Sequence, residues 1–222
     1  MRSALVVLVA LVVLGLSATA VSAPTGPTVA RGEKVGGRTY TQWESAFVRW
    51  RYSLPRKTEA GDGTCAAKRQ KGPIYFLHGN LSSAATLVRR CTVPAGKYLM
   101  LGVPNNGCTT VSDEPFFAET GKELLACAKK VWKTYGATQP PTVTLDGAVL
   151  PKAFLVTTPV FSFKEPKSDN VLQAPGATKG RTAQRAYALI LRPLAPGLHV
   201  VVETLRYRQD VQRTVSYQIT VG

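Results

Sequence analysis

The C-terminal residues Thr214-Val215-Ser216-Tyr217-Gln218-Ile219-Thr220-Val221 alternate polar and apolar side chains at every position. A period of two places the apolar side chains on one face of a β-strand and the hydroxyl and amide side chains on the other. One face of such a strand packs against a core, and the other contacts water. The stretch therefore predicts a strand at the surface of a β-structured domain.

Short apolar runs bounded by turn residues recur upstream, at intervals of about 8–12 residues in the C-terminal half. They predict strands at 74–77, 86–93, 97–103, 142–145, 154–156, 160–163, 186–191 and 198–205. Turns are predicted at 94–96, 104–107 and 195–197 and, as a hairpin, at Asp146-Gly147, with a longer loop over 165–180. This spacing favours a mainly β fold, an antiparallel β-sandwich of jelly-roll or immunoglobulin-like type.

Two short helices accompany these strands. Thr41 and Glu44 match a capping box, and an aromatic stripe at helical spacing behind it predicts a helix over 42–53. The stripe is Trp43, Phe47 and Trp50. Its tryptophans are typical of a helix packed on a core, and a sugar-stacking platform is the alternative. Thr120 and Glu123 match a second capping box, which predicts a helix over 120–134.

The N-terminal residues are typical of an export leader. Arg2 precedes an apolar run over 4–16 that is too short to span a bilayer, and small residues follow over 17–23. We predict a signal peptide over 1–20, with cleavage after Ala23 as the alternative, a flexible tail over 24–37 and a single β-sandwich domain over 38–222. The mature protein is expected to be secreted and not an integral membrane protein.

Four cysteines, Cys65, Cys91, Cys108 and Cys127, follow the leader. An even number in an exported chain indicates two disulfides with three possible pairings, of which we prefer Cys65–Cys91 and Cys108–Cys127. Zinc binding is disfavoured because no pair has Cys-x-x-Cys spacing and the chain has only two histidines. Neither a metal nor a cofactor is predicted.

The chain is strongly basic, with a formal net charge of +15, or +14 without Arg2 of the leader. Such an excess favours contact with a polyanion such as a wall polymer or an acidic polysaccharide. The alternative is that the charges are solvated and only keep an exported protein soluble. The candidate contacts are Lys68, Arg69, Arg89, Arg90 and Lys97. Signatures of sequence-specific nucleic-acid readers are absent from the sequence. The oligomeric state is left open.

Several motifs follow one another between residues 43 and 108: Trp43…Trp50 with Ser53-Leu54-Pro55, Gly63-Thr64-Cys65, Gln70-Lys71-Gly72-Pro73, Phe76-Leu77-x-Gly79, Arg90-Cys91-Thr92-Val93-Pro94-Ala95-Gly96-Lys97 and Pro104-Asn105. In order and spacing they resemble a family of uncharacterised secreted bacterial proteins, and Pro196-Gly197-x-His199 is similar too. The chain departs from that pattern at His78, where a small residue is expected, and lacks the usual Asn-Pro pair after the first helix. The resemblance implies location and fold type and transfers no site.

No catalytic residue is predicted. His78-Gly79 after a strand is similar to the oxyanion loop of α/β-hydrolases, but no Gly-x-Ser-x-Gly elbow accompanies it, and His199 has no placed nucleophile. Among the few acids, the adjacent Asp113 and Glu114 cannot flank a substrate as neighbours. Glu119, Glu123 and Glu203 are the other candidates for glycoside cleavage.

We therefore expect a secreted basic binding protein with an anionic extracellular or cell-wall partner, and non-catalytic rather than enzymatic. Two alternatives stay open: an extracellular hydrolase of polysaccharides or esters, and a structural envelope or protein-interaction module.

Overall fold

The structure is a computed structural model that describes residues 26–60, 63–79, 85–174, 176, 178–208 and 211–222. The predicted leader lies outside these residues. The described part forms helices α1 (Tyr40–Tyr52), α2 (Arg56–Ala60) and α3 (Gly121–Tyr135). Its strands are β1 (Ile74–His78), β2 (Thr86–Val93), β3 (Tyr98–Thr109), β4 (Thr142–Leu145), β5 (Ala148–Val149), β6 (Phe154–Thr157), β7 (Phe161–Lys164), β8 (Lys179–Leu191), β9 (Gly197–Arg206) and β10 (Gln212–Val221).

The strands form two sheets. The first sheet has the order β1-β3-β8-β6, with β7 also paired to β8, and the second has the order β2-β10-β9-β4-β5. The mainly β prediction is confirmed. The antiparallel prediction is wrong in detail, because β1 pairs with β3 and β2 pairs with β10 in parallel. The turn at 94–97 carries the chain from the second sheet to the first, so consecutive strands on either side of it do not pair.

The fold has three layers, helix α1, the first sheet and the second sheet, because alternate residues of the strands are buried on opposite faces. The two sheets enclose one core, to which β10 contributes Val215, Tyr217, Ile219 and Val221. Helix α1 covers the other face of the first sheet and buries Trp43, Phe47 and Trp50 there. The tryptophans are therefore core residues, as the favoured interpretation predicted.

Helix α1 begins two residues earlier than predicted. Its capping box is formed by Thr39 and Gln42, and not by Thr41 and Glu44, because Glu44 is fully buried. Helix α3 has the predicted box, in which Thr120 accepts from the Glu123 amide and the Glu123 carboxylate accepts from the Thr120 amide. Helix α2, which follows Pro55, was not predicted.

The described part of the expected tail, residues 26–37, packs against the domain. The Val29 amide donates to the Ile190 carbonyl of β8 at 2.9 Å. Val29 and Val35 are buried, and Trp43 Nε1 donates to the Val35 carbonyl at 2.9 Å. The flexible-tail prediction is therefore wrong for these residues. Two valines and the backbone bonds to β8 outweigh the Gly- and Pro-rich composition that suggested a tail.

Both predicted disulfides are present, Cys65–Cys91 and Cys108–Cys127. The first connects the segment before β1 to β2, and the second connects β3 to α3. The Asp146-Gly147 hairpin turn is also present between β4 and β5. The predicted turn at 104–107 is replaced by a register shift inside the longer strand β3. No helix in the ranges given above is both long and apolar enough to cross a membrane.

Candidate functional site

The basic residues singled out from the sequence do not converge on one site. Lys68 and Arg69 are exposed in the segment before β1, and Arg90 is exposed on the outer face of the second sheet. The Lys97 ammonium donates to the Gly72 carbonyl. The Arg69 guanidinium donates to the Ser53 carbonyl at the C-terminal end of α1, which connects Arg69 to the pocket described below.

The prediction that Arg89 is a binding residue is wrong, because its side chain is completely buried. It occupies an inward position of β2, and its guanidinium donates to the Thr64 carbonyl at 3.1 Å and the Gly79 carbonyl at 3.0 Å. These bonds hold together the chain segments on either side of β1. Arg89 is therefore a structural residue and cannot contact an external polyanion.

A different group of basic side chains converges beside α1. A pocket of about 420 Å³ lies between α1, β7 and the start of β8. We call it the basic pocket, and its lining residues are Arg49, Ser53, Ser162, Phe163, Lys164 and Lys179. Arg49 and Ser53 share one helix face because they are four residues apart. Three cations and no carboxylate are among the described residues that line it.

Lys164 and Lys179 lie directly opposite each other in the antiparallel β7–β8 pair. Two residues along the same strands, the next pair on the same face is Ser162 with Arg181. Directly opposed like charges destabilise a sheet by up to about 1 kcal/mol. The arrangement concentrates positive charge on one exposed face, and an anion placed there would relieve the repulsion.

Arg49 is held over this strand pair by two contacts. Its Nε donates to the Ser162 carbonyl at 3.0 Å, and its guanidinium carbon lies 4.6 Å from the centre of the Phe161 ring. Burial and the nearby Arg38 charge lower the pKa of Arg49, but an arginine stays cationic at neutral pH. The pocket therefore presents one oriented guanidinium beside two lysines.

Glu165 follows Lys164 in the sequence, but its carboxyl group is buried. Within the described part of the chain, neither of its carboxylate oxygens has a hydrogen-bond partner. Burial raises the pKa of Glu165 to about 7. At neutral pH this carboxyl is therefore only about half ionised, so it offsets the positive charge of Lys164 and Lys179 only in part.

A second cavity, of about 610 Å³, lies on the other side of the last turn of α1. We call it the mixed cleft. Thirteen of the described residues line it. The neutral hydrogen-bonding side chains are those of Tyr52, Asn106, Thr109, Ser112, Gln173 and Gln184. The charged residues are Arg51, Asp113 and Glu114, and the remaining residues are Phe116, Val171, Leu172 and Gly107. The Tyr52 ring packs edge-on against Phe163 of the basic pocket, with ring centres 4.8 Å apart. The two cavities therefore share a wall.

Among the described residues, His199 is held by a carboxylate and a backbone carbonyl and not by a nucleophile. His199 Nδ1 lies 2.7 Å from an Asp146 carboxylate oxygen, and its Nε2 lies 3.0 Å from the Ala195 carbonyl oxygen. Both partners accept hydrogen bonds, so both ring nitrogens donate, and the bond to Asp146 raises the pKa of His199. His78 is buried and packs against the Trp50 ring. Ser82 and Ser83 lie outside the described residues.

Three of the five acids considered for glycoside cleavage line one pocket of about 470 Å³, and the other two lie elsewhere. Glu203 is buried inside the sandwich. Glu123 caps α3, and with Glu114 and Glu119 it lines a separate pocket beside the Cys108–Cys127 disulfide. Asp113 and Glu114 border the mixed cleft.

Sequence reasoning missed Lys164 and Lys179, which lie on either side of the loop over 165–178. The available signal was the alternation of Phe161-Ser162-Phe163-Lys164, which puts Lys164 on the exposed face of its strand. Lys179 lies opposite Lys164 only because β7 and β8 pair in this register across the loop, and the local sequence does not predict that register.

No protein-family model matches the chain, and no curated protein matches it. The chain is similar to one chain of a solved structure described as "Structure of PbICP-C in complex with falcipain-2", with 14% identity and a TM-score of 0.26. That similarity covers 68% of this chain and 100% of the other. A similarity at this score carries no argument, so the functional conclusion depends on the chemistry of the basic pocket and the mixed cleft.

Proposed function

We propose that this protein is a secreted basic binding protein whose partner is an anionic polymer of the cell wall or extracellular space, and that the polymer contacts the basic pocket. The observation that carries the proposal is the direct opposition of Lys164 and Lys179 beside Arg49. Three cations around one pocket bind an anionic group more strongly than the same charges spread over a surface.

The positive charge of the whole molecule supports the same proposal. A net charge of +15 raises the local concentration of any polyanion near the protein, and the basic pocket provides the specific contact. An extracellular location agrees with the two disulfides, since these crosslinks persist in oxidising compartments. The resemblance of residues 43–108 to secreted bacterial proteins points the same way.

Hydrolysis has less support than binding. His199 is a poor general base because both of its ring nitrogens are engaged, one by the Asp146 carboxylate and the other by the Ala195 carbonyl. Glu203, whose pKa burial raises to about 8, is enclosed by the two sheets. If the protein were a purely structural module, no anionic ligand would compensate the repulsion between Lys164 and Lys179.

The test is salt elution of the mature protein from a sulfated-polysaccharide resin. The wild type is expected to elute above about 0.15 M salt, where weak surface contacts are largely screened. Lys164→Gln with Lys179→Gln should reduce the slope of log affinity against log salt by about two, one for each lost contact.

Lys129→Gln with Lys133→Gln is the matched control. These two exposed lysines of α3 give the same change in net charge away from the basic pocket. An equal effect of both double variants would mean that net charge alone drives retention. Elution of the wild type below about 0.15 M salt would remove the case for a polyanionic partner.

A further inference from the structure

The mixed cleft has the size of a small-molecule site and a lining richer in polar side chains than is typical. Its volume of about 610 Å³ lies inside the range of about 300–1,000 Å³ typical of such sites. The Gln184 side chain lines the cleft, and its amide donates to the Tyr52 hydroxyl at 3.1 Å and the Thr182 hydroxyl at 2.6 Å. Gln184 is 2% exposed, so this network is fixed in place.

The shape of the cleft depends on Gly107, which lies opposite Gln184 in the β3–β8 pair. A Cβ atom at Gly107 would lie 2.4 Å from the side-chain amide carbon of Gln184. The glycine therefore leaves the space that the Gln184 side chain occupies.

The hydrogen-bonding groups of the cleft match hydroxyl groups better than they match an ion. Amide and hydroxyl side chains both donate and accept, as sugar hydroxyls do. In the described part of the chain, Asn106 Nδ2 is buried without an acceptor, and an acceptor entering the cleft would satisfy this donor. Phe116, Val171 and Leu172 supply the apolar wall that the C–H face of a sugar ring requires.

The charged residues that line the cleft, the cation Arg51 and the acids Asp113 and Glu114, leave one excess negative charge, which disfavours an anionic unit there. Asp113 and Glu114 are exposed there, while the basic pocket has no lining carboxylate among the described residues. The Tyr52–Phe163 contact separates the two cavities by a single pair of rings. A polymer that crosses this wall meets three cations on one side and, on the other, a lining dominated by neutral hydrogen-bonding groups with a small excess of acids.

We infer that the anionic partner is a polysaccharide in which charged and uncharged sugar units alternate, with an uncharged unit bound in the mixed cleft and a neighbouring anionic group bound in the basic pocket. This inference rests on the proposed function of the basic pocket. It adds the class of polymer, which the positive charge alone does not specify.

The experiment compares two probes of matched charge by isothermal titration: hyaluronan fragments, which alternate glucuronate with uncharged N-acetylglucosamine, and inorganic polyphosphate, which has no sugar. Asn106→Ala removes one cleft donor, and Ser112→Trp fills the cleft, so two independent changes are available if one variant fails to fold. Thermal unfolding checks each protein. We expect both variants to bind hyaluronan about three- to tenfold more weakly and polyphosphate within about twofold of the wild type.

The double variant Lys164→Gln with Lys179→Gln should bind both hyaluronan and polyphosphate more weakly than the wild type. Hyaluronan binding that is unchanged in both cleft variants but weakened in the lysine variant would overturn the sugar inference and leave the proposed function intact. Failure of both probes to bind the wild type at about 0.15 M salt would overturn the proposed function, and the sugar inference with it.

Discussion

Single buried ionisable residues control the pH dependence of this protein's stability. Glu203 of β9 is 5% exposed and lies on the inner face of the second sheet. In the described ranges its Oε2 atom has no hydrogen-bond partner. Burial raises the pKa of Glu203 to about 8. Since the folded state then binds a proton that the unfolded state releases, this residue makes stability fall as pH rises from about 4.5 to about 8.

Glu203→Gln should therefore stabilise the protein at alkaline pH. The variant is expected to gain a few kcal/mol of unfolding free energy near pH 8.5, at about 1.4 kcal/mol per pKa unit, and to differ little from the wild type near pH 5. Denaturant titrations over this pH range provide the measurement. Glu119→Gln, at an exposed position, is the control. Parallel pH profiles of Glu203→Gln and the wild type would contradict this account of Glu203.

Arg89 and Arg90 are adjacent in sequence but have different roles. Arg89→Met removes the donor to the partly buried carbonyls of Thr64 and Gly79 and should cost about 1–3 kcal/mol of unfolding free energy. Arg90→Gln, at an exposed position of the same strand, should stay within about 0.5 kcal/mol. Guanidinium denaturation of the two variants tests this difference. A similar, small change in both would mean that Arg89 does not hold these segments.

At the scale of the elements, the close approach of α1 to the first sheet depends on Gly102 of β3. A Cβ atom there would lie 2.0 Å from the Phe47 ring. Gly102→Ala should displace that ring and reduce the unfolding free energy by about 1–3 kcal/mol.

Gly121→Ala is the matched control, because a Cβ atom at the start of α3 would meet Val160 at an ordinary 3.7 Å. It should be neutral or stabilising by up to about 1 kcal/mol. Phe47→Leu in the Gly102→Ala background should restore part of the loss. A Gly102→Ala protein as stable as the wild type would disprove the close contact between α1 and β3.

Local sequence signals predicted individual elements well and their pairing poorly. The Thr120–Glu123 box and the Asp146-Gly147 turn are short-range features, and both are present. The first helix was displaced by two residues because Thr39 and Gln42 also fit a capping box, and only the burial of Glu44 decides between the two. The pairing of β2 with β10 joins residues more than a hundred positions apart, which no local pattern encodes.

The candidate site shows the same division between local and long-range information. The net charge and the positions of the lysines can be read from the sequence, and they led to the prediction of a polyanionic partner. Arg89 was misassigned because charged residues are seldom fully buried, and its inward position follows from the register of β2 with β10. Lys164 and Lys179 meet only after the loop between β7 and β8 has closed.

At the scale of the whole molecule, the two disulfides crosslink loops of 26 and 19 residues. Each is worth roughly 3 kcal/mol through restriction of the unfolded chain. Reduction should therefore lower the melting temperature by several degrees per disulfide, at about 2–4 °C for each kcal/mol in a protein of this size. Calorimetry with and without reductant measures the change. A melting temperature that does not respond to reductant would contradict this contribution.

The central claim is that one face of this basic molecule, and not its charge as a whole, binds the anion. Chemical-shift mapping of the ¹⁵N-labelled protein during titration with inorganic polyphosphate tests it most directly. We expect the largest changes at the amides of residues 49–53, 162–164 and 179–181, which surround the basic pocket. Changes spread evenly over the exposed lysines of α3 and the outer face of the second sheet would contradict the claim.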